Sequence, residues 1–240
     1  MLTGIKKICA HIKLHIQNSI RGVYNGKKGK STPLPGGELF MQNVCIFAAS
    51  SPKLAQQYCD AAYALGEALA QNGIGLVFGG GRTGLMGACA RGVYAKGGRI
   101  TGVIPEKLNV PGIAFEHCNE LIVTADMHAR KATMERLSDA YIALPGGIGT
   151  LEELLEVLTL NQLGYLRAPV VIFNQNGYYD ALIRQLNTCV EQEFADQSCL
   201  SLYAVADSPE GAVHALTTFQ LKELPNKIKD AIRYDREAST

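Results

Sequence analysis

The chain alternates short apolar runs with helical patterns from about residue 41 onward, and this alternation restricts its fold more than any other feature. "NVCIFAA" precedes an alanine-rich stretch from Lys53 to Gln71, and "IGLVFGGG" precedes "GLMGACARGVYAKGG". "RITGVIP" is a third run and a loop through Gly112 follows it. "ELIVTAD" leads into "MHARKATMERLSD", and "AYIALPGG" leads into "TLEELLEVLTLNQLG". "APVVIFN", a helix around Tyr178 to Phe194, a short "LYAVAD" strand and a helix from Pro209 complete the series. Strands this uniformly apolar are buried on both faces, and helices between them imply right-handed crossovers. The pattern predicts an α/β domain: a doubly wound, Rossmann-like parallel sheet with helices on both faces.

The flanks differ from this core. Residues 1–40 read as a basic N-terminal extension and linker, residues 41–222 as the α/β domain, and residues 223–240 as a polar tail. The extension carries Lys6, Lys7, Lys13, Arg21, Lys27, Lys28 and Lys30, with no acid before Glu38. "IKKICAHIKLHIQNSI" reads either as a solvated lead or as a basic amphipathic helix in weak contact with a membrane or a partner. "GKKGKSTPLPGG" reads as linker. The formal net charge of +1 over 240 residues gives no global attraction to nucleic acid. Seven scattered cysteines without a C-x-x-C pair point to a reducing, cytoplasmic setting and away from a zinc site or disulfide framework.

Ligands of such sheets bind beyond the carboxyl ends of the strands, so the strand-to-helix turns are where chemistry is expected. In "FGGGRTGLMG", Gly79, Gly81 and Gly84 satisfy G-x-G-x-x-G. A dinucleotide site also needs an acid at the end of the next strand, and Glu106 falls after Pro105. The turn therefore reads as one that lets a nucleotide approach the backbone at Gly79, Gly80 and Gly81. In "TADMHARK", Asp126 is placed to cap a helix, which sets Arg130 and Lys131 near its positive end. Cations there are disfavoured by ~0.3–1 kcal/mol each. They are either solvated side chains pointing away or ligands for an anion.

The third turn, "LPGGIGTLEE", has two readings. Thr150-x-x-Glu153 matches a capping box, in which both side chains only satisfy amides at the helix start. The glycines before it let successive N–H groups face one point, where a phosphate is favoured. The same letters at Leu34–Gly37 lack a strand before them and an amphipathic helix after them. Arg130 and Glu153 follow consecutive strands and can meet in one crevice. A phosphate cradle, a cation and a carboxylate together suggest chemistry on a phosphorylated sugar.

"GGGRTGLMG", "VIP", "MHARK", "DAYIALPGGIGTLEELLEVLT", "QLG" and "NQNGYYDALI" occur in the order found in the Lonely Guy (LOG) family, which the chain resembles over roughly residues 43 to 215. These are the cytokinin riboside 5′-monophosphate phosphoribohydrolases, long mislabelled as lysine decarboxylases. The resemblance implies hydrolysis of the N-glycosidic bond of a purine nucleoside 5′-monophosphate, AMP or a cytokinin nucleotide, to free base and ribose 5-phosphate. By motif position it implies Arg130 and Glu153 as the catalytic pair, and Gly146, Gly147, Gly149 and Thr150 around the 5′-phosphate. Met127, Lys131 and the Gly79–Gly81 turn would shape the nucleotide site. It further implies a cytosolic homodimer with no metal and no organic cofactor.

The chain departs from that pattern at Ala49, where "AASS" replaces a usual "GSS", and at Leu160, where "TLNQLG" replaces a usual "TWxQLG". Neither departure touches Arg130 or Glu153, but both bear on base preference. Two competing readings remain at the level of sequence. One is a pyridoxal phosphate decarboxylase with Lys131 as the Schiff-base lysine. The other is a non-catalytic binder or carrier of a nucleotide-like cofactor such as molybdenum cofactor.

Overall fold

Four of the seven strands are buried along their whole length, as the inner strands of a parallel sheet covered on both faces must be. The computed structural model describes residues 41–222. Its strands are β1 (Asn43–Phe47), β2 (Gly75–Phe78), β3 (Ile100–Pro105), β4 (Glu120–Thr124), β5 (Ala140–Ala143), β6 (Val170–Phe173) and β7 (Ala204–Ala206). Its helices are α1 (Gln56–Gln71), α2 (Gly84–Ala95), α3 (Met127–Leu137), α4 (Ile148–Leu163), α5 (Asp180–Glu191) and α6 (Pro209–Thr218). The expected basic lead, linker and polar tail lie outside the described residues. No helix among the described residues is long and apolar enough to cross a membrane.

The sheet has seven strands, all parallel, in the order β4-β3-β2-β1-β5-β6-β7. The chain winds outward from β1 to β4, then returns to lay β5 on the other side of β1. The β1/β5 boundary is therefore the topological switch point, where the turns beyond the strands diverge and leave a crevice. β1 shows how the alternation of side chains divides the two layers. Val44 and Ile46 join one core with Leu65 and Leu69 of α1, Val93 of α2 and Leu216 of α6. Cys45 and Phe47 join the other with Met134 of α3, Leu154 and Val157 of α4, and Tyr179.

On the first face α1 and α2 cross in near backbone contact. A Cβ on Gly66 would collide with the Cys89 carbonyl, and one on Gly92 with the Tyr63 carbonyl. Of the glycines in the "GLMGACARG" stretch, Gly92 thus serves helix packing.

Helix boundaries differ from the sequence expectation at two places that matter for the site. α1 starts at Gln56, not Lys53, because the loop after β1 is drawn across the start of α2. There Leu85 and Met86 donate to the Ala49 carbonyl at 2.9 and 3.3 Å, and Thr83 Oγ1 donates to the Ser50 carbonyl at 2.8 Å. α5 starts at Asp180, so Tyr178 and Tyr179 lie between it and a short 3₁₀ turn at Gln175–Gly177, and Glu193 ends that region in a left-handed conformation.

Candidate active site

The glycine turn after β5 sits on the switch point and is stitched to the loop after β1. Ala49 N–H donates to the Pro145 carbonyl at 3.2 Å, and Leu144 N–H donates to the Phe47 carbonyl at 2.9 Å. α4 begins directly after it with Gly147 as its N-cap, and Leu151 N–H closes the first helical turn on the Gly147 carbonyl at 3.0 Å. The amides of Ile148, Gly149 and Thr150 precede that first bond, so they are the orphan donors of the helix start.

This start overturns the capping-box reading. Thr150 and Glu153 both lie inside the helix, and the cap position belongs to Gly147, which offers no side chain. Both residues are instead buried, Thr150 at 5% and Glu153 at 8% exposure. The Thr150 side chain fills the space a Cβ on Gly146 would need. Gly147 and Gly149 differ from Gly146, since a Cβ on either would meet nothing within 4 Å. Their smallness leaves room beside the orphan amides.

The solvated-cation reading of Arg130 and Lys131 is overturned as well. Asp126 caps α3 as expected, its carboxylate accepting from Ala129 N–H at 2.8 Å. The two cations then turn inward. Arg130 is only 7% exposed, and its Nη1 donates to Glu153 Oε1 at 2.9 Å. Its Nε donates to the Val103 carbonyl at 3.3 Å, which ties it to the end of β3. The glycine fingerprint contributes to this: a Cβ on Gly79 would strike the Arg130 guanidinium. Gly79 is small to admit Arg130. The next residues pair with a loop, Phe115 N–H donating to the Gly80 carbonyl at 2.8 Å and Arg82 N–H to the Ile113 carbonyl at 2.9 Å. Gly80 takes the positive φ of 75° that this pairing needs.

Lys131 goes elsewhere. Its ammonium is held by Glu152 and, at 2.9 Å, by Glu156, both on α4. Burial works against its charge, but the two carboxylates outweigh it and hold its pKa above the ordinary lysine value. A Schiff-base lysine needs the neutral amine, so this environment opposes that role. Met127, the first residue of α3, is half-exposed. Glu106 starts a short, exposed 3₁₀ turn past β3.

Electrostatically the Arg130–Glu153 pair is out of balance. Burial pushes the Glu153 carboxyl up, and the Arg130 charge and hydrogen bond offset only part of that, leaving its pKa above the ordinary carboxylate value. Fully buried Cys45 lies close by on β1, its thiol pushed up by burial first and by the Glu153 charge second, so it stays neutral. One turn further along α3, the Glu135 carboxyl is pushed up to about 7 by burial and by Glu156. Among the described residues, no group of three His, Cys, Asp or Glu side chains could hold a metal ion.

Two side chains that sequence reasoning passed over complete the turn. Tyr178 Oη donates to the Gly146 carbonyl and Tyr179 Oη to the Leu144 carbonyl, both at 2.7 Å. "NGYY" carries no chemical signature of its own. The signal was its place, directly after a strand beside the switch point.

Comparison with known proteins adds an independent line. The sequence model of a family described as possible lysine decarboxylase matches residues 86–216. A protein of Arabidopsis thaliana named cytokinin riboside 5′-monophosphate phosphoribohydrolase is 41% identical over 199 residues, covering 82% of this chain and 88% of its own. An Oryza sativa subsp. japonica protein named as a probable enzyme of the same activity is 40% identical over 196 residues, covering 82% and 78%. Among solved structures, the molybdenum cofactor carrier protein of Chlamydomonas reinhardtii superposes with a TM-score of 0.58 at 23% identity, over 75% of this chain and 99% of that one. That likeness is one of fold.

Removing Arg130 isolates a buried carboxylate. Arg130→Met is expected to cost about 3–5 kcal/mol of stability near neutral pH. Glu153 binds a proton more readily folded than unfolded, so this cost shrinks as pH falls toward the ordinary carboxylate range and grows as pH rises. Chemical denaturation at about pH 5 and about pH 8 checks this; a loss equal at both would contradict it.

Proposed function

The chain belongs to the family of cytokinin riboside 5′-monophosphate phosphoribohydrolases, and on that premise we propose that Glu153 and Arg130 carry its reaction. The chain is a hydrolase of N-glycosidic bonds, acting on purine nucleoside 5′-monophosphates. Water adds across the bond between the ribose C1′ and the purine: hydroxide joins C1′, and the base leaves with the proton. The products are free base and ribose 5-phosphate.

The observation that carries this reading is the buried Arg130–Glu153 pair beside an unfilled glycine turn. As the bond breaks, the sugar acquires oxocarbenium character, and a carboxylate close to C1′ lowers the energy of that charge or takes the proton of the attacking water. Arg130 holds Glu153 Oε1, leaving Oε2 for this work. The 5′-phosphate is received by the Gly147 amide of the turn and the amides of Ile148, Gly149 and Thr150 at the positive end of α4, where Gly147 and Gly149 leave space for it. Gly146 and Thr150 pack on each other and shape the turn from behind. Lys131 acts at one remove, through the α4 carboxylates it holds. Ala49 and Leu160 bear on which base is preferred, and unmodified AMP is within the proposed range.

We also propose a homodimer built on the outer face of α4. Ile148, Leu155 and Leu163 lie about two turns apart on that helix and are 87%, 42% and 51% exposed. A two-fold pairing of such a stripe with itself would cover it and bring the two phosphate turns near each other. Sedimentation at micromolar concentration should give twice the 25.8 kDa of one chain; a single-chain mass would remove the dimer.

Glu153→Gln keeps a hydrogen-bond acceptor for Arg130 but carries no charge. Chromatography of AMP incubated with this variant should show adenine release lowered at least about a hundredfold, with AMP affinity changed only a few-fold. Full release by the variant would strip Glu153 of its role. Tight AMP binding without release by the wild type would make the protein a carrier.

A further inference from the structure

Three successive carbonyls of the glycine turn are each occupied by one donor from elsewhere in the fold. Leu144 accepts from Tyr179 Oη at 2.7 Å, Pro145 from Ala49 N–H at 3.2 Å, and Gly146 from Tyr178 Oη at 2.7 Å. All peptide bonds of the described residues are trans. In a trans peptide the carbonyl and the following N–H point in opposite directions. Fixing the Pro145 and Gly146 carbonyls therefore fixes the Gly146 and Gly147 amides on the opposite side. The turn's own sequence does not enforce this, because Gly146 and Gly147 in succession leave the peptide between them free to rotate.

The tyrosines are themselves placed with care. Asn176 holds a φ of 52° and Gly177 a φ of 70°, the first a sparsely populated conformation for a residue with a Cβ. The Asn174 side chain accepts from Tyr179 N–H at 2.7 Å and donates to Asp180 at 2.8 Å, bracketing the pair. The two rings pack edge to face with centroids 5.0 Å apart, and Tyr58 packs edge-on against Tyr178 at 6.2 Å. Burial, and next the Tyr178 neighbour, push the Tyr179 hydroxyl's pKa above its ordinary value, so it keeps the proton it donates. Tyr179 is 2% exposed, whereas Tyr178 is 45% exposed and closes the turn at the surface.

We propose that Tyr178 is a positioning residue for the 5′-phosphate: its hydroxyl holds the Gly146 carbonyl back, so that the Gly147 amide stays aimed at the anion, while Tyr179 anchors the start of the same turn at Leu144. This rests on the reading of the turn as the phosphate site. Neither tyrosine touches the reacting bond, so the effect falls on binding of the phosphate and not on the bond-breaking step.

The decisive variant is Tyr178→Phe, which removes one exposed-side hydroxyl and keeps the ring. Calorimetric titration with ribose 5-phosphate and with inorganic phosphate should show about three- to tenfold weaker binding than in the wild type, the contribution of one hydrogen bond. KM for AMP should rise by the same factor with kcat within about twofold, and the slow hydrolysis of adenosine, which lacks the phosphate, should not change. Unchanged phosphate affinity in Tyr178→Phe, or equal losses on AMP and adenosine, would overturn the proposal, as would a wild type that binds neither phosphate ligand. Because binding is read without turnover, the two ideas separate. A wild type that binds ribose 5-phosphate, loses that binding in Tyr178→Phe and yet releases no base would sink the hydrolase and leave the positioning role standing.

Discussion

The buried contact between Arg130 and Glu153 is the constraint around which the site is organised. It joins α3 to α4, and through the Val103 carbonyl it joins both to the end of β3. A carboxylate and a guanidinium taken out of water gain nothing for stability unless their geometry is good, and breaking such a pair costs more than forming it returns. Here the pairing incompletely offsets burial, since the Glu153 carboxyl remains above its ordinary pKa. A pair held at that balance is poorly explained by stability and well suited to a group whose charge must act on a substrate.

The rest of the fold supplies what this contact needs. Winding outward from β1 and returning to β5 opens a crevice where the glycine turn faces the loop after β1. Gly79 gives up a side chain so that Arg130 can reach across. Tyr178 and Tyr179 back the turn, and α4, which carries Glu153, begins directly after it. Lys131 and its two carboxylates hold α3 against α4 one residue further on. In the proposed site the anion end and the carboxylate end are thus both set by the first turns of a single helix.

The layered sheet was legible in the sequence because its signal is local: apolar runs buried on both faces, separated by helical stretches. The glycine turn and the identity of Arg130 and Glu153 were legible through their motifs. What the residues alone did not reveal depended on partners far along the chain. Thr150-x-x-Glu153 looks like a cap, yet Gly147 takes the cap position and the helix starts before Thr150. Arg130 and Lys131 look like solvated cations at an unfavourable helix end, but acids more than twenty residues away bury and pair them. The G-x-G-x-x-G spacing suggested backbone approach by a nucleotide, and did not reveal that Gly79 makes room for an arginine. The tyrosines had no signal beyond their place after a strand, because Tyr178 meets its acceptor 32 residues away and Tyr179 meets its own at 35.

If the charge on Glu153 drives the reaction, its raised pKa must appear in the rate. The dependence of kcat/KM on pH for base release from AMP reports the free enzyme's essential groups. The predicted result is an acid limb whose midpoint lies above the ordinary carboxylate value of 4.5, with activity lost as pH falls through it. A profile that stays flat down to about pH 4, the range in which an unperturbed carboxylate begins to titrate, would contradict the account.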